Sequence, residues 1–149
     1  MDTLIVFGAK YLIVLVALVG VVAIVWRAEG RRRLIILLAV ALPLGYALAR
    51  LAGLLYSHQQ PFAAEWFEPL VAHAVDNAFP SDHTLVSGIF ASVAFFADRR
   101  VGLALWGFTL CIGAARVVAG LHYPLDIAAS ALLAVSAVCV AHTALKRMV

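Results

Sequence analysis

The chain has 149 residues, 65% of them hydrophobic and 13% charged, with a mean hydropathy of +1.04. A water-soluble domain of this size needs a charged surface that such a composition does not supply. The formal charge of +3 comes from basic residues spread along the chain, which argues against nucleic acid as a partner.

Five apolar segments follow one another, and the expected fold is an all-α, polytopic membrane bundle of about five spans forming one domain, residues 1–149. The first segment covers residues 4–26; Met1-Asp2-Thr3 precede it, with no basic region or cleavage site of a leader peptide. The second covers 34–55 and carries Arg50 near its end. A long connection, 56–80, holds His58, His73 and an aromatic and acidic stretch with Phe62, Glu65, Trp66, Phe67 and Glu68. That mixture suits a segment lying along lipid headgroups, with a substrate gate as the alternative.

The third segment, 84–97, is short for a bilayer and is expected to tilt or to begin partway down a polar cavity. The fourth covers 101–119 and the fifth 125–145. Cys111 and Cys139 fall inside these runs and are expected to be buried small hydrophobes with no disulfide. His142, near the far end of the last run, is expected to be structural, and His73 to lie on the surface; His58 is undecided.

Arg27, Arg31, Arg32, Arg33, Arg99, Arg100, Lys146 and Arg147 make eight of the eleven basic residues, and all lie on one side of a five-span bundle. The positive-inside rule makes that side the cytoplasm, so 56–80 and 120–124 face outward.

Ionisable side chains at a helix centre in a membrane cost about 2.5 to 3.5 kcal/mol each on insertion scales. Here Arg50, Asp82, His83, Arg116, His122 and Asp126 all fall near the outward ends of their segments. Ser81 is placed to cap the third helix, whose first turn offers free N–H groups and a positive dipole end to an anion such as phosphate. His83 beside it suits a proton donor to a leaving oxygen. Pro124 fits the first position of the fifth helix. Asp126 then lies one turn from His122 and is expected to orient it, with Arg116 gripping phosphoryl oxygens. Each residue also has a plainer role: a helix cap for Ser81 and Asp126, snorkelling to the headgroups for Arg50 and Arg116. A divalent metal on His83, His122 and Asp126 is the rival chemistry.

These residues resemble the type 2 phosphatidic acid phosphatase superfamily, which shares its core with vanadium haloperoxidases and carries the motifs Lys-x6-Arg-Pro, Pro-Ser-Gly-His and Ser-Arg-x5-His-x3-Asp. The second motif is matched by Pro80-Ser81-Asp82-His83, and the third by Ala115-Arg116, His122 and Asp126. Asp82 in place of glycine, within Asp76-Asn77-Ala78-Phe79-Pro80-Ser81-Asp82-His83-Thr84, is similar to undecaprenyl diphosphate phosphatases of the bacitracin-resistance type. The resemblance covers roughly residues 60–126.

It implies a phosphohistidine on His122, orientation by Asp126, and protonation of the leaving group by His83. Arg116, the Ser81 hydroxyl and backbone N–H groups near Asp82 would hold the phosphate. No metal or cofactor is implied. The substrate would be a lipid diphosphate reached from the outer leaflet of a bacterial cytoplasmic membrane. Phosphatidylglycerol phosphate, phosphatidate or a non-catalytic lipid-binding role are the alternatives. The first motif departs: Gln60-Pro61 replaces Arg-Pro and Gly53 stands at the lysine position, so Gln60 and Arg50 are the candidates to supply the missing phosphate contacts.

Overall fold

The structure, a computed structural model, describes residues 2–27 and 29–147. Its helices are α1 (Asp2–Lys10), α2 (Leu12–Val25), α3 (Arg31–Leu55), α4 (Pro61–Ala64), α5 (Asp82–Ala97), α6 (Arg99–Val118) and α7 (Pro124–Arg147). Among the described residues no strand forms; the one sheet-like contact is a bridge between Gln59 and Asn77.

The expected first span is broken. α1 and α2 meet at Tyr11 with a bend of 46°. No proline marks the place. The backbone ladder shifts there, and the Val14 N–H bonds the Tyr11 carbonyl three residues back at 3.0 Å, a local tightening that kinks a helix.

Taken singly, α3, α6 and α7 are long and apolar enough to cross a membrane, and α1 with α2 would add a fourth crossing if the bent pair forms one span. α5 has 16 residues, a rise of about 24 Å. That falls short of the roughly 30 Å of hydrocarbon. It is nevertheless the centre of the bundle, touching α2, α3, α6 and α7. Thr84, Ser87, Gly88, Ala91 and Ala94 are buried along it, small side chains that let neighbouring helices approach closely.

Two apolar cores flank α5. One joins it to α2, α3 and α7 through Ile24, Leu37, Ile89 and Val138. The other joins it to α2 and α6 through Val16, Leu105 and Ile112. The outward faces keep large apolar side chains uncovered, Leu18, Leu110 and Leu132 among them, as a bundle solvated by lipid tails requires. Cys111 and Cys139, expected to be buried in protein, are exposed on those faces.

At the basic end, the Arg27 guanidinium donates to the Phe96 carbonyl at 2.6 Å and also to that of Ala97, the last carbonyls of α5. Asp98 caps α6, accepting from Arg100 N–H at 2.7 Å and Val101 N–H at 3.1 Å. Those two bonds hold its carboxyl below the usual carboxylate range.

At the opposite end the 56–80 connection folds over the α6–α7 corner. Phe62 N–H bonds the Gly120 carbonyl at 3.1 Å and Leu70 N–H that of Ala119 at 3.3 Å. Phe62 and Val71 pack with Ala9, Ala119 and Leu121. Phe62, expected along the headgroups, is therefore inside the protein, whereas Trp66 is 93% exposed.

Candidate active site

The chain reverses between Arg116 and His122 through a helix-ending motif. The Leu121 N–H bonds the Arg116 carbonyl and the Gly120 N–H that of Val117, both at 3.0 Å. Gly120 sits between them at φ +79°, a conformation that favours glycine. A Cβ there would come within 2.5 Å of the Phe67 ring. This turn places His122 back beside Arg116 although six residues separate them in sequence.

His122 is 6% exposed and Arg116 4%. The His122 Nδ1 lies 2.8 Å from the Ala78 carbonyl, and its Nε2 lies 3.1 Å from Arg116 Nη2. A carbonyl can only accept and a guanidinium can only donate, so the proton is on Nδ1 and the lone pair on Nε2. Arg116 Nη1 lies 3.4 Å from the Ala9 carbonyl. Its Nε is buried with no partner, and none of the ion pairs among the described residues includes it. A buried guanidinium without a carboxylate is a site waiting for an anion.

Asp126 is fully buried, at the third position of α7 after Pro124. Its Oδ2 accepts the Tyr123 N–H at 2.8 Å, the side-chain half of a capping box. The same Oδ2 is 3.7 Å from His122 Nδ1, too long for a hydrogen bond. Its Oδ1 lies 2.9 Å from His58 Nε2. The tautomer of His122 is thus fixed by the Ala78 carbonyl, with Asp126 near enough to act on the ring by charge.

Ser81 takes the cap position of α5, but its side chain makes no capping bond. Its Oγ accepts from Thr84 Oγ1 at 3.3 Å, which leaves the hydroxyl hydrogen and the first N–H groups of α5 without capping partners. His83, half-buried in the first turn of α5, lies within electrostatic reach of Arg116, His122 and His73.

Of the first-motif candidates, Gln60 is buried and committed to the loop. Its amide nitrogen donates to the Ala74 carbonyl at 3.2 Å and to the Asp76 carboxylate, and its oxygen accepts the Asp76 N–H at 3.1 Å. No amide hydrogen is left for phosphate, so in this arrangement Gln60 is a loop staple. At Gly53 the family's lysine would be a tight fit: a Cβ would lie 3.1 Å from the Phe79 carbonyl and 3.2 Å from Asn77 Nδ2, so the loop would have to give by a few tenths of an ångström. Arg50 reaches the mouth of the site, where its Nη2 pairs with Asp82 Oδ1 at 2.7 Å and both side chains stay about half exposed.

Residues 34–148 match the PAP2 superfamily. The chain belongs to that superfamily. A bacitracin transport permease protein BcrC of Bacillus licheniformis is 35% identical over 87% of this chain and 64% of its own length. A putative undecaprenyl-diphosphatase YbjG of Escherichia coli is 36% identical over 85% of this chain and 65% of its own length. The undecaprenyl-diphosphatase BcrC of Bacillus subtilis is 30% identical over 91% and 70%. The chain therefore spans about two thirds of the length of these relatives. In fold it is similar to the crystal structure of Aquifex aeolicus LpxE, with a TM-score of 0.69 over 95% of this chain and 93% of that one, at 19% identity.

Within this PAP2 chain the two matched motifs lie at one end of the bundle: the Ala78 carbonyl, two residues before Pro80, bonds His122 at 2.8 Å, and His83 is within electrostatic reach of Arg116 and His122. Three further groups stand at the candidate site that sequence reasoning did not assign to it, with His58 left undecided. His73, expected on the surface, is exposed yet has its Nε2 3.5 Å from Arg116 Nη2. His58 holds Asp126. The Ala78 carbonyl holds His122, and a backbone oxygen leaves no mark in a sequence. For His58 the available signal was its place two residues before Gln60-Pro61.

Proposed function

We propose that the protein is a lipid phosphatase that converts undecaprenyl diphosphate to undecaprenyl phosphate at the outer face of a bacterial cytoplasmic membrane. The observation that carries this reading is the buried Arg116, without a carboxylate partner among the described residues, 3.1 Å from the unprotonated Nε2 of His122. A phosphoryl group is the anion that needs both a guanidinium fork and a nucleophile. The substrate choice draws support from the relatives in Bacillus subtilis and Escherichia coli whose names carry undecaprenyl-diphosphatase.

In the proposed reaction Arg116 turns from His122 to the phosphoryl oxygens, joined by the Ser81 hydroxyl and the first N–H groups of α5. The His122 Nε2 attacks phosphorus. The bond from phosphorus to the bridging oxygen breaks, and His83 gives that oxygen a proton. Burial and the Arg116 charge hold the His83 pKa down to about 4, and the bound phosphate anion, by offsetting Arg116, lets the ring carry the proton it donates. Asp126 offsets the positive charge that develops on the His122 ring. Water then attacks the phosphohistidine and yields its proton to His83, and inorganic phosphate leaves.

The basic end of the bundle, with Arg27, Arg31, Arg32, Arg33, Arg99 and Arg100, faces the cytoplasm in this reading, which turns the site outward. Phosphate release from undecaprenyl diphosphate by purified protein tests it, with and without EDTA and beside His122→Ala. Release that survives EDTA and is lost in the variant supports the phosphohistidine; loss with EDTA assigns the site to a metal. Phosphatidylglycerol phosphate and phosphatidate belong in the same panel, and faster turnover of either overturns the substrate. Release that persists in His122→Ala overturns the mechanism.

A further inference from the structure

We propose that His58 is a positioning residue that aims the Asp126 carboxylate at the His122 ring. The inference rests on the phosphatase reading above and deepens it.

A fully buried carboxylate needs a partner for each oxygen. Asp126 Oδ2 has the Tyr123 N–H at 2.8 Å. Its Oδ1 has the His58 ring, 2.9 Å away, and no other hydrogen bond among the described residues reaches that oxygen. The other His58 nitrogen, Nδ1, lies 3.0 Å from the Gln59 carbonyl. Both ring nitrogens therefore face oxygen acceptors. A ring with hydrogens on both satisfies the two, and a neutral ring satisfies one.

The ring is also walled in. Its centroid lies 5.3 Å from that of Tyr56, 5.2 Å from Tyr123 and 6.4 Å from Phe79. Tyr56 in turn stands edge-on to Phe79 at 5.0 Å. Tyr123 directly follows His122 and carries the N–H that Asp126 accepts. His58 thus packs against the same turn that presents the nucleophile, with three aromatic rings around its own and its side chain 21% exposed.

This arrangement bears on the chemical step rather than on binding. His122 carries positive charge only from the transfer of phosphorus to it until water releases the phosphoryl group. Asp126, 3.7 Å from Nδ1, offsets that charge only if its carboxylate is held on that side. Loss of the His58 donor frees Oδ1 to rotate toward other partners. The interaction lost is one made in the transition state, so the cost falls on kcat and not on KM.

Three variants separate this role from plain packing: His58→Phe keeps an aromatic ring without a donor, His58→Gln keeps a donor, and His58→Gly leaves space for free imidazole. Steady-state turnover of undecaprenyl diphosphate and the melting temperature are measured for each. His58→Phe is expected to lose about tenfold to a hundredfold in kcat, the range for groups that orient another ligand, with KM within roughly twofold of wild type. His58→Gln retains more activity, imidazole raises that of His58→Gly, and His58→Phe adds little further loss to Asp126→Asn. Wild-type kcat in His58→Phe, or equal losses in His58→Phe and His58→Gln, overturns the proposal. If wild-type protein releases no phosphate from this lipid, the substrate reading fails, and 15N spectra of the histidine rings still decide the point. The His122 signals shift in His58→Phe if His58 positions Asp126, and unchanged signals overturn it.

Discussion

Arg116 Nη2 and His122 Nε2 lie 3.1 Å apart, a cation and an imidazole nitrogen brought together by the turn at Gly120. Neither is offered a carboxylate at hydrogen-bonding distance among the described residues: the nearest, Asp126, is 3.7 Å from the far side of the imidazole. A buried cation left in this state costs stability, and under the proposed function it provides in return a phosphate site that needs no rearrangement of the fold.

Replacing that cation by an apolar side chain of similar length separates the two effects. Arg116→Met is expected to lower phosphate release at least about a hundredfold, as for loss of a transition-state donor. Its melting temperature in detergent stays level or rises, because an unpartnered buried charge is removed. A variant that is both inactive and unfolded contradicts this account.

At Gly120 the expectation is steric and conformational together. Gly120→Ala puts a Cβ within 2.5 Å of the Phe67 ring and forces alanine to φ +79°. The backbone part alone costs about 1 to 2 kcal/mol. Thermal unfolding of Gly120→Ala in wild-type and Phe67→Ala backgrounds checks this, with the second change recovering only the ring clash. Full recovery would mean that the positive φ carries no cost.

Restoring the family's lysine should not help this protein. The Cβ of Gly53→Lys presses on the Phe79 carbonyl and Asn77, beside the Ala78 carbonyl that bonds His122 at 2.8 Å. Both Gly53→Ala and Gly53→Lys are expected to reduce kcat several-fold. Higher activity in Gly53→Lys would show that the loop yields and that the missing charge was limiting.

Arg50 and Asp82 form a half-exposed pair, 2.7 Å apart, and such pairs add about 1 kcal/mol or less to stability. Their effect should therefore appear in substrate capture. Arg50→Gln is expected to raise KM. Asp82→Asn is expected to lower it, since the carboxylate at the first turn of α5 repels phosphate and ties up Arg50. Both shifts should shrink in high salt. Unchanged KM in both variants would assign the pair to the surface alone.

The sequence by itself determined the membrane class, the helical bundle and the two matched motifs, because hydrophobic run length and the spacing of Arg116, His122 and Asp126 are local properties. Pro124 at the start of α7 and the shortness of α5 were legible for the same reason. Only the tertiary structure decided the bend at Tyr11, which has no proline to announce it and appears where the backbone ladder shifts. It decided that Gln60 staples the loop through Ala74 and Asp76, since an amide's partners depend on which backbone folds back onto it. It decided too that Ala78 rather than Asp126 bonds the His122 ring, and that His58 stands against Asp126 and His73 against Arg116. Those contacts link residues 44, 68 and 43 positions apart in the chain. Over such separations side-chain chemistry says what a residue can bond, and only packing says what stands within reach.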